Sequence, residues 1–295
     1  MEKIQQALEK ARRIRTVALQ QPESDGGPGR RPSAHGNGSS SSHRPTATGT
    51  GELRIDYERT RVVNTAPEVL RRNRIVAATR EDSGAFEAFR ILRTQVLARL
   101  EARNGNAIAI CGAGQGEGKT LVAVNLAVSV ARQLHRSALL VDLDLRNPSV
   151  HRCFDLTPEH GLSDYLTGRV PLEECLINPG IERLVLLPQR ERIPQSSELL
   201  GSRRMAALAQ ELKARYHDRI IVYDCPPLLA TDDPLVTMDY ADGCLLVVRE
   251  GKTQQAELLR AAELVGEDRF LGTVLNDARW AMDSGYYGYS YGYGY

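Results

Sequence analysis

The chain has 295 residues, of which 42% are hydrophobic and 25% are charged, as expected for a soluble globular protein. Its formal net charge of +1 gives no bulk electrostatic reason to expect a nucleic-acid or membrane-surface partner. No apolar run approaches the ~20 residues of a membrane-spanning helix, and the N-terminus lacks the apolar stretch of a signal peptide. Five scattered cysteines without a C-x-x-C pair predict reduced thiols in the cytoplasm, not disulfides or a zinc site.

The N-terminal part of the chain is predicted to contain three segments outside the main domain. Residues 1–20 have the pattern of a short amphipathic helix with basic side chains, which suits a membrane surface, a partner protein or simply solvent. Residues 21–50 are predicted to be a flexible linker, because Gly, Pro, Ser and Thr fill 19 of the 30 positions. Residues 51–80 are interpreted as a connecting arm.

Residues 81–280 are predicted to form one α/β domain. Helical periodicity starts near residue 85, and short apolar runs then alternate with helical stretches. Runs that are apolar on both faces and separated by helices indicate a mostly parallel sheet covered on both sides, which binds ligands at the carboxyl ends of its strands. The predicted strands lie at 107–111, 138–142, 183–188, 219–224, 243–248 and 271–276, and the intervening helices at 118–135, 197–216 and 253–266.

A glycine-rich sequence, CGAGQGEGKT at 111–120, follows the first of these strands. Such a turn between a buried strand and a helix surrounds one concavity with backbone N–H groups, and the helix dipole adds positive potential. Lys119 would reach the β- and γ-phosphates of a nucleotide, and the Thr120 hydroxyl would bind Mg²⁺. Residues predicted to bind ATP are Gly114, Gln115, Gly116, Glu117, Gly118, Lys119, Thr120 and Arg146.

Three aspartates end two other predicted strands. Asp142 and Asp144 follow one buried run, and Asp224 ends another, so all three are expected at the same edge of the sheet as the glycine-rich loop. Mg²⁺ needs one or two such carboxylates, directly or through water. Capping of the following helical segment is the alternative role for Asp142 and Asp144.

These three stretches together resemble the Walker A, A′ and B motifs of the bacterial tyrosine kinases. The similarity includes VDLDLRNPSVH and IVYDCPPLL and extends to GLSDYLTG, SSELLGS and VVREGKT. It implies a P-loop NTPase-like, three-layer α/β/α fold that uses ATP and Mg²⁺. Two positions differ from related patterns, since Gln115 replaces the usual proline and no lysine stands at 114. The missing lysine separates this chain from partitioning-type ATPases.

The resemblance also implies which residues carry the reaction. Lys119, Asp142, Asp144 and Asp224 would be catalytic, with Thr120, Asp142 and Asp224 on Mg²⁺ and the two A′ aspartates sharing acceptor activation. The helical sequence EAFRILR places Glu87, Arg90 and Arg93 in the pattern that forms the subunit contact of a ring oligomer in this family. On spacing alone, Glu87 and Arg90 could equally pair within one helix.

The C-terminal residues 281–295 are predicted to be a disordered tail that serves as the enzyme's own substrate. Six of the eleven tyrosines lie there, separated only by Gly and Ser, and the tail has no Arg or Lys after Arg279 that would favour nucleic acid. The resemblance implies autophosphorylation between subunits, and we expect the added charge to loosen the oligomer. The candidate sites are Tyr286, Tyr287, Tyr289, Tyr291, Tyr293 and Tyr295.

The resemblance further implies partners in exopolysaccharide or capsule production. These are a separate membrane-bound chain-length-determinant protein (a polysaccharide co-polymerase) that activates the kinase, further protein substrates in polysaccharide synthesis, and a cognate tyrosine phosphatase. Such a kinase would be cytoplasmic and recruited to the inner face of the membrane by its partner. The alternatives are a partitioning-type ATPase switch and a nucleotide-binding scaffold without kinase activity.

Overall fold

The computed structural model describes residues 60–79, 83–216 and 218–278. The predicted N-terminal helix, the linker and the tyrosine-rich tail lie outside these residues. Within the described residues, no helix combines the length and the apolar character that a membrane span requires.

One eight-stranded sheet organises the described chain, in the order β1-β4-β5-β3-β6-β2-β7-β8. All neighbouring strands are parallel except β4 and β5, which confirms the predicted mostly parallel α/β fold. The two-residue strands β1 and β4 were not predicted from sequence, since neither makes an apolar run. The strands are β1 (Arg61–Val62), β2 (Ala107–Gly112), β3 (Ser137–Asp142), β4 (Ile177–Asn178), β5 (Leu184–Leu187), β6 (Arg219–Asp224), β7 (Gly243–Arg249) and β8 (Phe270–Asn276).

Helices connect the strands and cover both faces of the sheet. The single helix predicted over 197–216 was wrong, because the structure has two helices there. The first ends before Gly201, and the second begins after Ser202, whose hydroxyl accepts a hydrogen bond from the N–H of Met205 at 3.2 Å. The helices are α1 (Pro67–Arg72), α2 (Val76–Thr79), α3 (Gly84–Glu101), α4 (Lys119–Ala131), α5 (Val150–Cys153), α6 (Leu162–Leu166), α7 (Leu172–Cys175), α8 (Ser196–Leu200), α9 (Arg203–Arg215), α10 (Asp233–Thr237) and α11 (Gln255–Val265).

Two hydrophobic cores result, one on each face of the sheet. The first packs α3 and α4 against alternate residues of the strands. Eleven of the thirteen α4 residues are buried, so this helix has no polar face. The second packs α9 and α11 against the opposite set of strand residues. The central strands are therefore apolar on both faces and carry their polar residues where they end.

Residues 60–79 pack directly onto the core formed by α3 and α4. They belong to the segment 51–80 that was predicted to be a connecting arm. Strand β1 pairs with β4, and Ile75 and Ala77 are fully buried. The buried side chain of Asn125 in α4 accepts a hydrogen bond from the N–H of Ala77 (3.1 Å) and donates one to the carbonyl of Arg74 (3.0 Å). A single asparagine thus satisfies two backbone groups of the segment.

We expect the substitution Asn125→Leu to lower the free energy of unfolding by roughly 2–4 kcal/mol, because it leaves the buried N–H of Ala77 and the partly buried carbonyl of Arg74 without partners. Chemical denaturation monitored by circular dichroism measures this. Asn147→Ala is the matched control, since Asn147 is exposed and its removal should change the unfolding free energy by less than about 1 kcal/mol. Equal stability of Asn125→Leu and the unmodified protein would contradict the expected role.

Candidate active site

The glycine-rich loop connects β2 to α4, as predicted. Gly116 and Gly118 adopt φ angles of 72° and 93°, in the left-handed region that side chains with a Cβ rarely occupy. These two residues let the chain turn sharply from the strand end at Gly112 into the helix that begins at Lys119. The loop therefore presents its backbone N–H groups together with the N-terminus of α4, which is the arrangement that binds phosphate.

Two side chains at the start of α4 contact the glycine-rich loop and the segment after β3. The Lys119 ammonium donates a hydrogen bond to the carbonyl of Gly114 at 2.8 Å, and its residue is 7% exposed. The Thr120 hydroxyl lies 2.9 Å from the hydroxyl of Ser149, which follows the A′ strand β3. The loop, its cation and the A′ segment thus meet at one place.

Asp142 and Asp224 are direct neighbours at the ends of β3 and β6, where their Cα atoms are partners in the strand register. Both are essentially inaccessible to solvent. Asp142 accepts hydrogen bonds from the N–H groups of Asp144 (3.2 Å), Ser149 (2.9 Å) and Val150 (3.0 Å). Asp142 therefore does hold the start of α5, which was the alternative role considered for it.

Asp224 differs from Asp142 because neither of its carboxylate oxygens has a hydrogen-bond partner in the described protein. Burial raises the pKa of Asp224 to about 7, although the nearby Thr120 hydroxyl and the Lys119 ammonium act to lower it. Burial also raises the pKa of Asp142 well above its ordinary value, and the neighbouring Asp224 raises it further. Two adjacent buried carboxylates cannot both ionise cheaply without a cation nearby.

This arrangement fits a hard divalent cation. Mg²⁺ is bound by one or two carboxylates and keeps several waters, and Asp224 offers two oxygens that accept no hydrogen bond in the described protein. The Thr120 hydroxyl enters from the loop side beside Ser149. The donors are all oxygens, which suits Mg²⁺ and not a metal that prefers nitrogen or sulfur.

Asp144 lies closer to solvent than the other two aspartates. One of its oxygens accepts a hydrogen bond from the N–H of Asn147 at 3.0 Å, and the residue is half-buried. Burial raises the pKa of Asp144. Of the two A′ carboxylates, Asp144 is thus the one that an incoming group can approach.

The Arg146 side chain is held by three other residues and does not extend toward the glycine-rich loop. Its guanidinium donates to the carboxylates of Asp233 (2.9 Å) and Asp232 (3.1 Å) and to the hydroxyl of Ser196 (3.0 Å). Asp233 is fully buried and also accepts a hydrogen bond from Ser196. Arg146 therefore ties the A′ segment to the chain after β6, and its predicted contact with ATP stays a prediction.

Sequence reasoning missed the residues that brace the glycine-rich loop from the side of β7 and β8. The buried carboxylate of Glu117 accepts hydrogen bonds from the N–H of Gly114 (3.1 Å) and the hydroxyl of Thr253 (2.7 Å). The amide of Asn276 donates to the carbonyl of Glu117 at 2.8 Å, and Arg249 donates to the carbonyl of Gly116 at 3.0 Å. The Glu117 side chain thus serves the loop itself, while Gln115 is exposed.

The predicted oligomerisation residues on α3 fall into two groups. Glu87 and Arg90 form an ion pair of 2.7 Å within the helix, and their side chains are 42% and 52% exposed. Arg93 instead donates to the carbonyl of Ser129 in α4 at 2.9 Å. Glu87 and Arg90 remain accessible to another subunit, whereas Arg93 is partly used within its own chain.

Known proteins that resemble this chain are named as kinases. Residues 105–253 match a protein family described as an AAA domain. The chain is 34% identical over 230 residues to the tyrosine-protein kinase YwqD of Bacillus subtilis, a match that covers 74% of this chain and 96% of that protein. The chain belongs to the bacterial tyrosine-protein kinase family. This assignment confirms the resemblance recognised in the three nucleotide-site motifs.

Other relatives of this tyrosine kinase family agree. The tyrosine-protein kinase etk of Escherichia coli strain K12 is 34% identical over 196 residues, which cover 65% of this chain but 26% of that longer protein. The solved kinase domain of Escherichia coli ETK superposes with a TM-score of 0.66 at 28% identity, over 80% of this chain and 94% of that one. The chimeric protein CapA2B2 superposes with a TM-score of 0.62 at 27% identity, over 72% and 91% respectively.

Proposed function

We propose that this bacterial tyrosine kinase uses ATP and Mg²⁺ to phosphorylate the tyrosines of its own C-terminal tail. The observation that carries the proposal is the unsatisfied, buried carboxylate of Asp224 beside a P-loop lysine in a chain that ends with six tyrosines. The kinase domain would comprise residues 81–280, with residues 60–79 packed on it, and the tail would be residues 281–295.

The proposed chemistry needs positioning and charge neutralisation more than a strong base, because the transition state of phosphoryl transfer is loose. Mg-ATP, when bound, supplies the phosphoryl group and neutralises part of its charge. Lys119 would place a positive charge against the phosphates, since its ammonium is already held at the loop by Gly114. Thr120, Asp142 and Asp224 would hold the metal ion.

We assign activation of the tyrosine hydroxyl to Asp144 in preference to Asp142. The oxygens of Asp142 already accept three backbone hydrogen bonds, whereas Asp144 is half-buried and accepts one from Asn147. A phenol has a pKa of about 10, so a carboxylate with a raised pKa is a better acceptor for its proton late in the transfer than an ordinary one.

The proposed oligomer is a ring in which one subunit phosphorylates the tail of its neighbour. Glu87 and Arg90 are exposed on α3 and are the candidates for the subunit contact, with Arg93 supporting the helix from within. An intrahelical pair of this kind contributes only about 0.2–0.5 kcal/mol, so its role in folding is small. That leaves both side chains free to exchange partners across an interface at little cost.

We further propose that the kinase regulates polymerisation and export of an exopolysaccharide or capsular polysaccharide. Its activator would be the cytoplasmic part of a separate membrane-bound co-polymerase, and a cognate phosphatase would reverse the modification. The basic helix predicted at residues 1–20 is the candidate docking element. Loss of membrane recruitment after deletion of residues 1–20 would support this role, and unchanged recruitment would remove it.

The proposed activity is tested by incubating the purified full chain with ATP and Mg²⁺ and measuring phosphotyrosine by mass spectrometry. We expect a signal that falls at least about 100-fold in Lys119→Met, because the phosphates lose their main cationic contact. A chain truncated after Asp283 should also lose it while still binding ATP. ATP hydrolysis without phosphotyrosine, even with the membrane activator added, would instead identify an ATPase switch.

The brace on Glu117 predicts a second effect on the nucleotide site. Thr253→Val removes the hydroxyl that holds the Glu117 carboxylate and should weaken ATP binding roughly 10-fold, because the loop loses its preorganised shape. A fluorescent ATP analogue measures the dissociation constant. Thr273→Val is the control, since Thr273 is an exposed residue of β8. An unchanged dissociation constant in Thr253→Val would show that the brace does not support the loop.

A further inference from the structure

The turn between β7 and α11 brings a second lysine to the glycine-rich loop. Lys252 is exposed and follows the strand end at Arg249, whose carbonyl accepts a hydrogen bond from the N–H of Lys252 at 3.1 Å. A Cβ placed on Gly116 would lie 2.5 Å from the ammonium nitrogen of Lys252. Because a Cβ is one carbon–carbon bond away from its Cα, this nitrogen lies within about 4 Å of the loop backbone. The nucleotide site thus has a cation that its sequence motifs do not include.

Lys252 differs from the two other cations at this loop in how its charge is used. Lys119 donates to a carbonyl of the loop at 2.8 Å, and Arg249 donates to the carbonyl of Gly116 at 3.0 Å. The Arg249 guanidinium is also paired with Asp277, at 2.9 Å. Among the residues that the structure describes, none accepts a hydrogen bond from the Lys252 ammonium, and no carboxylate oxygen lies within 4 Å of it. Its positive charge is therefore available to an anion that the loop binds.

The surroundings of Lys252 leave room for such an anion. The residue lines an open cavity of about 430 Å³ together with Arg249, Glu250, Gly251 and Asp277. Gly251 has a φ angle of 69°, and no atom beyond its neighbours in the chain lies within 4 Å of a Cβ placed on it. The ammonium can therefore move onto a bound group without displacing packed side chains.

The order of the strands indicates which part of a nucleotide Lys252 would meet. Strand β2, which leads into the loop, lies between β6 and β7. The carboxylates proposed to hold the metal ion, Asp142 and Asp224, end β3 and β6 on one side of β2, whereas Lys252 follows β7 on the other side. The metal ion bridges the β- and γ-phosphates, so the transferred end of the nucleotide lies on the side of the carboxylates. Lys252 faces the other end, toward the α-phosphate.

We propose that Lys252 binds a phosphate of the nucleotide that is not transferred, and that it shares the charge of the triphosphate with Lys119. A lysine suits this role because its ammonium is a compact charge on a flexible stem. The inference rests on the proposed function in one respect, since it takes ATP as the ligand. The α- and β-phosphates are present in both ATP and ADP, so the contact strengthens the binding of both nucleotides without acting on the reacting bond.

The test measures the dissociation constants of Mg-ATP and Mg-ADP for the full chain by isothermal titration calorimetry. We expect Lys252→Met to raise both constants by the same factor, about 5–10-fold, because each nucleotide loses one charge-assisted contact. The dependence of both constants on salt should also weaken, because one ionic contact is missing. Arg260→Met is the matched control, since it removes one positive charge from an exposed position of α11 and should change either constant less than about two-fold.

A kinetic measurement separates this contact from a structural role of Lys252. In the phosphotyrosine assay, KM for ATP should rise by the same factor in Lys252→Met, while kcat stays within about two-fold, because the contact is equally strong in the ground state and the transition state. A loop that had lost its shape would lower kcat as well. The exposed position of Lys252 predicts an unchanged melting temperature.

Three outcomes would overturn the proposal. Equal dissociation constants in Lys252→Met and the unmodified protein would show that the ammonium does not meet the nucleotide. Weaker binding of ATP with unchanged binding of ADP would move Lys252 to the γ-phosphate. A fall in kcat at unchanged KM would assign it to the transferred group. If the unmodified protein binds both nucleotides without forming phosphotyrosine, the proposed kinase activity fails, and the two dissociation constants still decide the role of Lys252.

Discussion

Asp224→Asn is expected to abolish tyrosine phosphorylation and, at the same time, to stabilise the nucleotide-free protein. Activity should fall roughly 100-fold or more, because the variant loses the carboxylate proposed to bind the metal ion. The unfolding free energy should rise by roughly 2–4 kcal/mol near pH 8, because a buried carboxylate without hydrogen-bond partners is replaced by a neutral group of the same shape.

The pH dependence of this gain has a definite sign. The pKa of Asp224 is about 7 in the folded protein and about 3.9 in the unfolded chain, so the folded state holds the proton more tightly. The contribution of Asp224 to stability is therefore fully present at low pH and is lost as the pH rises from about 4 through 7. The advantage of Asp224→Asn should grow over this window and then stay constant.

The expected loss of activity is checked by the phosphotyrosine assay. The expected gain in stability is checked by denaturation curves of both proteins at several pH values. Asp239→Asn is the matched control, because Asp239 is an exposed carboxylate that pairs with Arg269 on the surface. It should leave both activity and stability nearly unchanged. An Asp224→Asn protein that is less stable than the unmodified protein at pH 8 would contradict the account of an unsatisfied charge.

Mg²⁺ offers an independent check on the same carboxylate. A cation that binds the ionised form of Asp224 must displace its proton, so it should stabilise the unmodified protein more strongly at pH 8 than at pH 6. The Asp224→Asn protein should gain much less from the same Mg²⁺ concentration. Equal gains in the two proteins would mean that the ion binds elsewhere.

The sequence predicted those parts of the site that depend on strand ends. Asp142 and Asp224 could be placed together because buried strands of a parallel sheet end at one edge, and their register confirms the neighbourhood. Their different roles could not be predicted, because the hydrogen bonds to Asp142 come from a turn seven and eight residues further on. Nothing in the sequence spacing tells which carboxylate that turn satisfies.

The residues that brace the site were missed for a related reason. Thr253 lies 136 residues from Glu117 and Asp233 lies 87 residues from Arg146, so no local pattern connects them. Thr253 does lie in VVREGKT, and Ser196 in SSELLGS, both of which were recognised as similar to family segments without a role. The split of the predicted helix 197–216 was missed for a different reason. Gly201 and Ser202 are a local signal of a helix end and a new N-cap, but the apolar periodicity on both sides outweighed it in the prediction.

The helix motif on α3 is a case in which the spacing of residues along the sequence allows two different roles. Glu87 and Arg90 adopt the intrahelical pair that their separation allows. Arg93, at the next helical turn, contacts Ser129 within its own chain. The proposed subunit contact is therefore tested by measuring the size of the assembly.

Replacing all six tail tyrosines by phenylalanine is expected to remove nearly all phosphotyrosine, at least roughly 20-fold, with ATP binding intact. The tyrosines elsewhere are poor acceptors where the structure describes them. Tyr223 is fully buried, and Tyr165 and Tyr216 each stack with an arginine, at 4.5 and 4.1 Å from the ring centre. Single Tyr→Phe changes in the tail should each retain most of the signal, because the remaining five tyrosines have similar sequence neighbours, chiefly Gly and Ser.

The number of tail tyrosines should affect assembly, because the charges of their phosphates add. Each phosphate brings about 1.5–2 negative charges, so a fully modified tail carries roughly 9–12 where the unmodified one is nearly neutral. In the proposed ring, repulsion between such tails would oppose assembly. This repulsion would weaken as salt rises, because charges further apart than about 8 Å are screened at physiological ionic strength. After incubation with ATP, the protein with all six tail tyrosines should therefore sediment as a smaller species than the six-fold phenylalanine variant. This difference in size should shrink in high salt. A ring of unchanged size with all six sites modified would separate phosphorylation from assembly.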